Sequence, residues 1–337
     1  MKISILLPYK ENFSPNYPGA VSLNVNDILS ISKYKKYITV YGNTNFKKKL
    51  NKSYVNIKLK NTLFQSQSKK YVDEFIKVEK KKKSNLIEIH NRPNYLKFLT
   101  NNLLDRNYIL YFHNDPLSMN GSKKISERTF LLNNCFRIIF NSNWSKRRFL
   151  EGMKNDFVNS EKLIVVNQSA KKNIIKSKNK KKIITFVGKL NRSKGYDLFG
   201  AAVIRILDKY KTWKALVVGD EPREKIELYH KNLKNLGFTN HNKVLETFKK
   251  CSIAVACSRW EEPFGRTSLE ASSRGCAVII SNRGGLPETI TNGLILKKIN
   301  SSELYKSIES LILNKNKLLK LQYQSYKNFF LTDNYSS

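Results

Sequence analysis

Two carboxylates, Glu262 and Glu270, bracket the stretch Glu262-Pro263-Phe264-Gly265-Arg266-Thr267-Ser268-Leu269-Glu270. An apolar, strand-like run, Ile253-Ala254-Val255-Ala256-Cys257, precedes it, and a helical segment, Ser268 to Arg274, follows. A strand, a tight loop and a helix start together make a seat for an anion. The first N–H groups of a helix lack intrahelical partners, and the helix dipole favours negative charge there. The two acids flank such a seat and do not fill it, which suits a ligand held by a phosphate in the middle and by hydroxyls on either side. A retaining glycosidase would need its carboxyls about 5–5.5 Å apart across one bond. With one acid in the loop and the other up the helix, the pair suits two parts of one ligand better than an acid/nucleophile couple.

Other turns carry compatible chemistry. Phe186-Val187-Gly188-Lys189-Leu190-Asn191-Arg192-Ser193-Lys194-Gly195 runs from a strand through a glycine and cations to a second glycine before a helix. Gly188 permits close backbone approach, and Lys189 and Lys194 can reach a diphosphate. An ordinary strand–turn–helix with solvated lysines would read the same way. Val218-Gly219-Asp220 ends another strand, Leu236-Gly237-Phe238 reads as a short buried strand near a nucleobase, and Asn282-Arg283-Gly284-Gly285-Leu286-Pro287-Glu288 is a loop that lets a ligand approach the backbone. In the first half, Glu88-Ile89-His90-Asn91-Arg92-Pro93 and Tyr111-Phe112-His113-Asn114-Asp115 end successive strands. His90, Arg92 and His113 would then share one crevice. Gly19, in Asn16-Tyr17-Pro18-Gly19-Ala20, is a further candidate for diphosphate approach.

These residues need a scaffold of strands with their ends aligned. Short β-branched runs alternate with longer amphipathic ones, the pattern of parallel-sheet α/β domains. Strands are predicted at 3–7, 38–41, 55–59, 86–89, 108–112, 138–140, 163–166, 183–187, 215–218, 253–256, 277–280 and 294–296. Helices are predicted at 71–82, 143–151, 196–210, 221–236, 302–313 and 315–330. At 337 residues the chain exceeds what one core usually holds, so two domains are expected. A polar, Lys-rich seam places them at 1–170 and 183–314, with a linker at 171–182 and a C-terminal helix at 315–337 that could cross back to the first domain.

The net charge of +36 comes from 62 Lys and Arg against 26 Asp and Glu. The Lys runs at 47–49, 80–83, 171–172 and 180–182 lie in different loops without interleaved aromatics, unlike a platform for single-stranded nucleic acid. No nucleic-acid partner is expected. An anionic membrane surface or a phosphorylated substrate fits the charge, as does simple compositional bias. Cys135, Cys251, Cys257 and Cys276 form no CxxC pair and read as core thiols of a reducing compartment. No apolar run reaches the about 20 residues of a membrane span. The N-terminus reads as a first strand and not as a signal peptide. A cytoplasmic protein, in peripheral contact with the inner membrane face, is expected.

Val187-Gly188-Lys189-Leu190 with Lys194-Gly195, then Gly219-Asp220, Leu236-Gly237-Phe238, the Glu262/Glu270 pair around Pro263-Phe264-Gly265, Gly275 and Gly284-Gly285-Leu286-Pro287-Glu288 occur in one order over residues 183–300. In that order they resemble the retaining glycosyltransferases of family 4; over residues 1–170 the likeness is looser. The resemblance implies a GT-B fold, two Rossmann-like doubly wound domains facing a central cleft. It implies transfer of a sugar from a nucleotide-sugar donor to a glycan or lipid-linked acceptor, in cell-surface glycan or lipopolysaccharide biosynthesis, with no cofactor and no metal. Glu262 would meet the sugar ring, Glu270 the ribose, and Lys189 and Lys194 the diphosphate. The backbone of Phe264, Gly265, Arg266 and Thr267 would complete the anion cradle. His113 would act near the reacting centre on the acceptor side. Lys189 stands where the family usually has Arg, which keeps the charge and loses the bidentate fork. Glu221 stands where it often has Gly. An epimerase or hydrolase of nucleotide-sugars on the same fold, and a basic nucleic-acid-binding α/β protein, are the alternatives.

Overall fold

The computed structural model describes residues 1–59, 66–154, 160–172, 180–332 and 335. They divide into two compact units, Met1–Gln168 and Ser169–Tyr335. The first runs β1 (Ile3–Leu6), α1 (Ala20–Ile31), β2 (Ile38–Gly42), β3 (Tyr54–Asn56), α2 (Gln67–Lys82), β4 (Leu86–His90), α3 (Tyr95–Asn102), β5 (Asn107–Phe112), α4 (Ile125–Asn134), β6 (Arg137–Phe140), α5 (Asn143–Leu150) and β7 (Leu163–Val165). Its seven strands are ordered β3-β2-β1-β4-β5-β6-β7, and every pairing is parallel.

The second unit runs β8 (Lys181–Val187), α6 (Tyr196–Lys209), β9 (Lys214–Val218), β10 (Leu233–Asn235), α7 (His241–Lys250), β11 (Cys251–Ala256), α8 (Arg266–Ser273), β12 (Ala277–Ser281), β13 (Leu294–Leu296), α9 (Ser301–Leu313) and α10 (Lys315–Lys327). Its six strands are ordered β10-β9-β8-β11-β12-β13, again all parallel. In each sheet the order reverses once, between β1 and β4 and between β8 and β11. Ligands of open parallel sheets sit beyond the carboxyl ends of the strands at such a reversal.

Both sheets are buried on two faces, which is why their strands read as continuous apolar runs. Successive residues feed opposite cores. Ile183 packs with Phe248, Ala254, Val278 and Ile280, whereas its neighbour Ile184 packs with Phe199, Val203, Ile253 and Ile279. In the first unit Ile3, Ile5 and Leu7 meet Val21, Val25 and Leu29 of α1, while Leu6 joins Ile87, Leu110 and Phe112 on the other side. Each large side chain buried in this way contributes about 1.5–3 kcal/mol.

Each strand segment read from the sequence, apart from Leu236–Phe238, overlaps an observed strand. The segment expected as a helix at 221–236 is different: turns lead through 221–232 into β10. Pro222 interrupts its start, and its apolar residues Ile226 and Leu228 are spaced by two, not by three or four. Both pack against the core, with Leu228 lying over Gly200 of α6. The short strand expected at Leu236–Phe238 falls instead at Leu233–Asn235, on the sheet edge, and Phe238 is 42% exposed. Of the linker expected at 171–182, residues 173–179 lie outside the described residues, and Lys181 and Lys182 are the exposed first residues of β8. Helix α10 lies against α8, α9 and β12, where Gln322 donates to the Ser252 carbonyl at 3.0 Å.

Candidate active site

The loops after β8, β11 and β12 come together around Glu262. The β8 loop is closed by Asn191, whose Oδ1 accepts from the Lys194 N–H at 3.0 Å, and by Gly195, the left-handed N-cap of α6 (φ 74°). A Cβ on Gly195 would lie 2.1 Å from the Cys257 carbonyl oxygen, so only glycine lets the two loops pack this closely. The contact is reinforced by the Arg259 and Trp260 N–H groups, which donate to the Ser193 carbonyl at 2.9 and 3.0 Å. Arg259 also grips Asp197 with both guanidinium nitrogens, at 2.6 and 2.8 Å. The outcome is that Lys194 Nζ lies 2.5 Å from Glu262 Oε1, with both side chains mostly buried.

The β12 loop fixes the backbone of Glu262. Gly285 N–H donates to the Glu262 carbonyl at 2.6 Å, and a Cβ on Gly284 (φ 59°) would lie 2.1 Å from that same oxygen. Glu261, next in the chain, accepts from the Gly284 N–H at 2.6 Å and from Arg283 at 2.8 Å. Glu261 is therefore committed to holding the loop, while Glu262 turns to Lys194.

The helices of this unit differ at their first turns. Asn240, Asn300 and Asn314 cap α7, α9 and α10, each side chain accepting an N–H of the first turn. Helices α6 and α8 begin at Gly195 and Gly265, and neither has a side-chain cap. Replacing a capping side chain typically costs about 1 kcal/mol of helix stability. The two starts beside Lys194 and Glu262 thus lack the side-chain cap that α7, α9 and α10 carry, and phosphate binds at helix termini of this kind. Phe264 is buried with Ala170, Leu269, Phe329 and Leu331, so its side chain anchors the loop and its backbone lines the start of α8. Gly265, Arg266 and Thr267 are half-buried there.

One turn into α8, Glu270 is buried and accepts from Arg266 Nε at 2.7 Å; His241 Nε2 of α7 lies 2.8 Å from the same oxygen. Burial pushes the carboxyl up, but the Arg266 charge and the His241 hydrogen bond outweigh it and hold the group below the ordinary carboxylate range. Glu270 is therefore ionised at neutral pH, and His241 Nε2 is the donor. Lys189 is exposed beyond β8, where Gly188 N–H bonds the Val218 carbonyl at 3.0 Å and Gly219 N–H the Gly237 carbonyl at 2.9 Å. These glycines line the ends of β8, β9 and β10, with Phe238 next to them in the chain.

In the first unit, β4 and β5 bring His90 and His113 together. His90 Nδ1 lies 2.8 Å from His113 Nε2, and His90 Nε2 lies 2.5 Å from Glu88 Oε1. The two imidazoles and the Tyr111 ring are stacked, with Tyr111 and His113 centroids 4.4 Å apart. Burial, and then the His90 neighbour, push the His113 pKa well below the usual histidine value, so the ring is neutral. Arg92, expected beside them, turns its guanidinium back to the Asn91 carbonyl at 2.8 Å. Gly19 begins α1, where the space beside it holds the Glu11 carboxylate, which accepts from the Ser22 N–H at 3.0 Å. The anion at this helix start is the chain's own.

Sequence reasoning passed over Glu88, Asn91, Asn141, His241, Glu261 and Arg283. All but Glu88, which meets His90 two residues on, hold a residue distant in sequence; only the repeat of His-Asn at two strand ends could have pointed to Asn91. Among the described residues, no cluster of three or more His, Cys, Asp or Glu could hold a metal ion. No described helix is long and apolar enough to cross a membrane. The four cysteines are buried, and none forms a disulfide.

Known proteins share the fold and part of the sequence. Solved as a complex with UDP and glucose, Alr3699/HepE of Anabaena matches 99% of this chain and 97% of its own, with a TM-score of 0.77 at 17% identity, a likeness of fold that makes the two units a GT-B architecture. Spore coat protein SA of Bacillus subtilis is 30% identical over 141 residues, which is 37% of this chain and 37% of that protein. The lipopolysaccharide core biosynthesis mannosyltransferase LpsB of Rhizobium meliloti is 28% identical over 123 residues, 34% of this chain and 35% of that protein. The matched stretches thus span little more than a third of these curated relatives' length. The family model described as glycosyl transferases group 1 matches residues 167–328.

Proposed function

We propose, from the premise that this chain belongs to the glycosyl transferases group 1 family through residues 167–328, that it transfers a sugar from a nucleoside-diphosphate donor to an acceptor hydroxyl, with retention at the anomeric carbon. The observation that carries this is the 2.5 Å contact of Lys194 with Glu262 beside two helix starts that no side chain caps. In such a transfer the diphosphate gains negative charge as the sugar becomes oxocarbenium-like. Fixed cations and helix N-termini aimed at that charge lower the barrier. Lys189 and Lys194, with the N–H groups of 264–267, would take the diphosphate, and no metal is invoked. Glu262 would accept from sugar hydroxyls and Glu270 from the ribose. A diphosphate competes with Glu262 for Lys194, so donor binding exchanges one internal ion pair for two ligand contacts. The leaving phosphate would take the acceptor proton in a same-face attack, with His113 on the acceptor side.

LpsB is named for lipopolysaccharide core synthesis, and HepE was solved with UDP and glucose. A UDP-sugar is accordingly the first donor to test, and a glycan or lipid-linked acceptor of surface polysaccharide the first acceptor. The charge of +36 suits peripheral contact with an anionic membrane; equal binding to neutral and anionic vesicles would count against that contact. A thermal-shift panel of nucleoside diphosphates and their sugars tests the central claim, since a ligand at 100 times its Kd adds about 2.7 kcal/mol. Stabilisation by one nucleoside diphosphate, and a retained linkage in the product formed from its sugar, are the expected results. No response to any member of the panel would overturn the proposal.

A further inference from the structure

His113 is held on almost every side. Its N–H donates to Asn91 Oδ1 at 3.2 Å, and its carbonyl accepts from Asn141 Nδ2 at 3.0 Å. Asn91 reaches it from a left-handed backbone (φ 56°), and the same Oδ1 accepts from the Asn114 N–H at 3.1 Å. The ring lies flat on Tyr111, and Nε2 meets His90. One polar atom is left: Nδ1 is buried and has no partner among the described residues. Buried polar atoms are nearly always satisfied, and one left without a partner needs a reason.

The chain of contacts from Glu88 through His90 sets what that atom can be. An ionised carboxylate can only accept, so the proton between Glu88 and His90 sits on His90 Nε2. With a single ring proton, spent on Glu88, His90 offers a lone pair at Nδ1, and His113 donates to it from Nε2. His113 Nδ1 is left as a bare acceptor. We propose that Glu88 and His90 are positioning residues that lock His113 in the tautomer whose Nδ1 accepts a hydrogen bond from a sugar hydroxyl. The nature of the hydroxyl rests on the glycosyltransferase proposal above; the tautomer does not. A ring nitrogen shielded from water, on a residue clamped at N, O, Nε2 and ring face, is preorganised to read a donor group at little entropic cost.

Nitrogen-15 NMR of the histidine rings in the full chain at neutral pH tests the tautomer directly. The expected spectrum shows His113 protonated at Nε2 and bare at Nδ1; a proton on Nδ1 overturns the proposal. Glu88→Lys reverses the first link, because an ammonium can only donate. His90 should then carry its proton on Nδ1, and His113 should present Nδ1–H. Glu88→Gln keeps an accepting oxygen and should keep the original tautomer. With a donor found in the thermal-shift panel, kcat/KM should fall about tenfold in Glu88→Lys and stay near wild type in Glu88→Gln. Wild-type turnover by a Glu88→Lys enzyme with a reversed His113 ring would overturn the hydroxyl role. If Glu88→Lys does not fold, Glu88→Leu serves: a mixed-tautomer His113 with undiminished transfer would overturn it equally. The predicted spectrum without transfer from any donor would support the histidine chain and count against the glycosyltransferase reading.

Discussion

The strand ends of the two units solve the same geometric problem with different means. In the second unit, every described residue with a positive φ is a glycine, and charged side chains stand beside the turns that those glycines make. In the first, the turn after β4 is made by Asn91, and the side chain that makes the turn also holds its neighbours. Asparagine tolerates the left-handed region because its short amide bonds nearby backbone. One edge is built to receive charge: Lys194, Glu262 and the uncapped starts of α6 and α8. The other presents a stacked, neutral His113 next to His90. In the transfer proposed above the two would meet different chemistry, since a leaving diphosphate is an anion and an attacking hydroxyl is not.

This contrast can be broken most forcefully at Glu270. Glu270→Leu leaves Arg266 and His241 without their shared carboxylate in a buried place, and should cost about 3–5 kcal/mol in urea unfolding. Glu88→Leu, facing a neutral imidazole, should cost only about 1 kcal/mol. Equal costs would show that the second unit does not depend on ionised pairs. Next comes Glu262→Gln, expected to lower transfer about 100-fold while affinity for the bare nucleoside diphosphate holds or tightens, because Lys194 is released from its partner. Calorimetry showing weaker nucleotide binding would mean that the ion pair does not compete with phosphate. Gly284→Ala should destabilise by about 2 kcal/mol, since a left-handed alanine must also clear the Glu262 carbonyl. Asn91→Gly keeps the turn but removes the oxygen that accepts from the His113 and Asn114 N–H groups, and should cost about 1–2 kcal/mol and impair turnover.

The smallest effect is pH dependence in the first unit. Burial and His90 depress the His113 pKa, so the unfolded chain binds a proton that the native ring resists. That contribution is fully present above about pH 6.5 and is lost as the pH falls from there toward the native value. Between pH 7.5 and 5.5 the wild type should lose about 1 kcal/mol more than His113→Asn, by urea titration at both pH values. Glu270, depressed as well, should weaken the second unit only below the unfolded carboxylate value of about 4.3.

The sheet was legible because buried parallel strands must be apolar over their whole length, and such runs are visible one at a time. The segment 221–236 was not legible: Leu228 covers Gly200 of α6 and Ile226 packs on the same core from an irregular segment whose shape comes from what lies beneath it. At the site, the residues that carry charge or turn the chain stood out by type and spacing: Gly188, Gly195, Lys194, Glu262, Gly265 and Glu270. The residues that hold them did not, because Glu261, His241, Asn141 and Glu88 have no local signature.

From the sequence alone followed two doubly wound units, their strands, and the two carboxylates on either side of a glycine loop and a helix start. Those are consequences of local chemistry: alternation, glycine at tight turns, and the order of strand, loop and helix. Only the tertiary structure decided that Lys194 pairs with Glu262, that Glu270 is kept ionised by Arg266 and His241, and that Glu11 occupies the helix start beside Gly19. It also decided which nitrogen of His113 stays bare. Lys194 and Glu262, His241 and Glu270, and His90 and His113 lie 68, 29 and 23 residues apart, because parallel crossovers bring distant segments of the chain together.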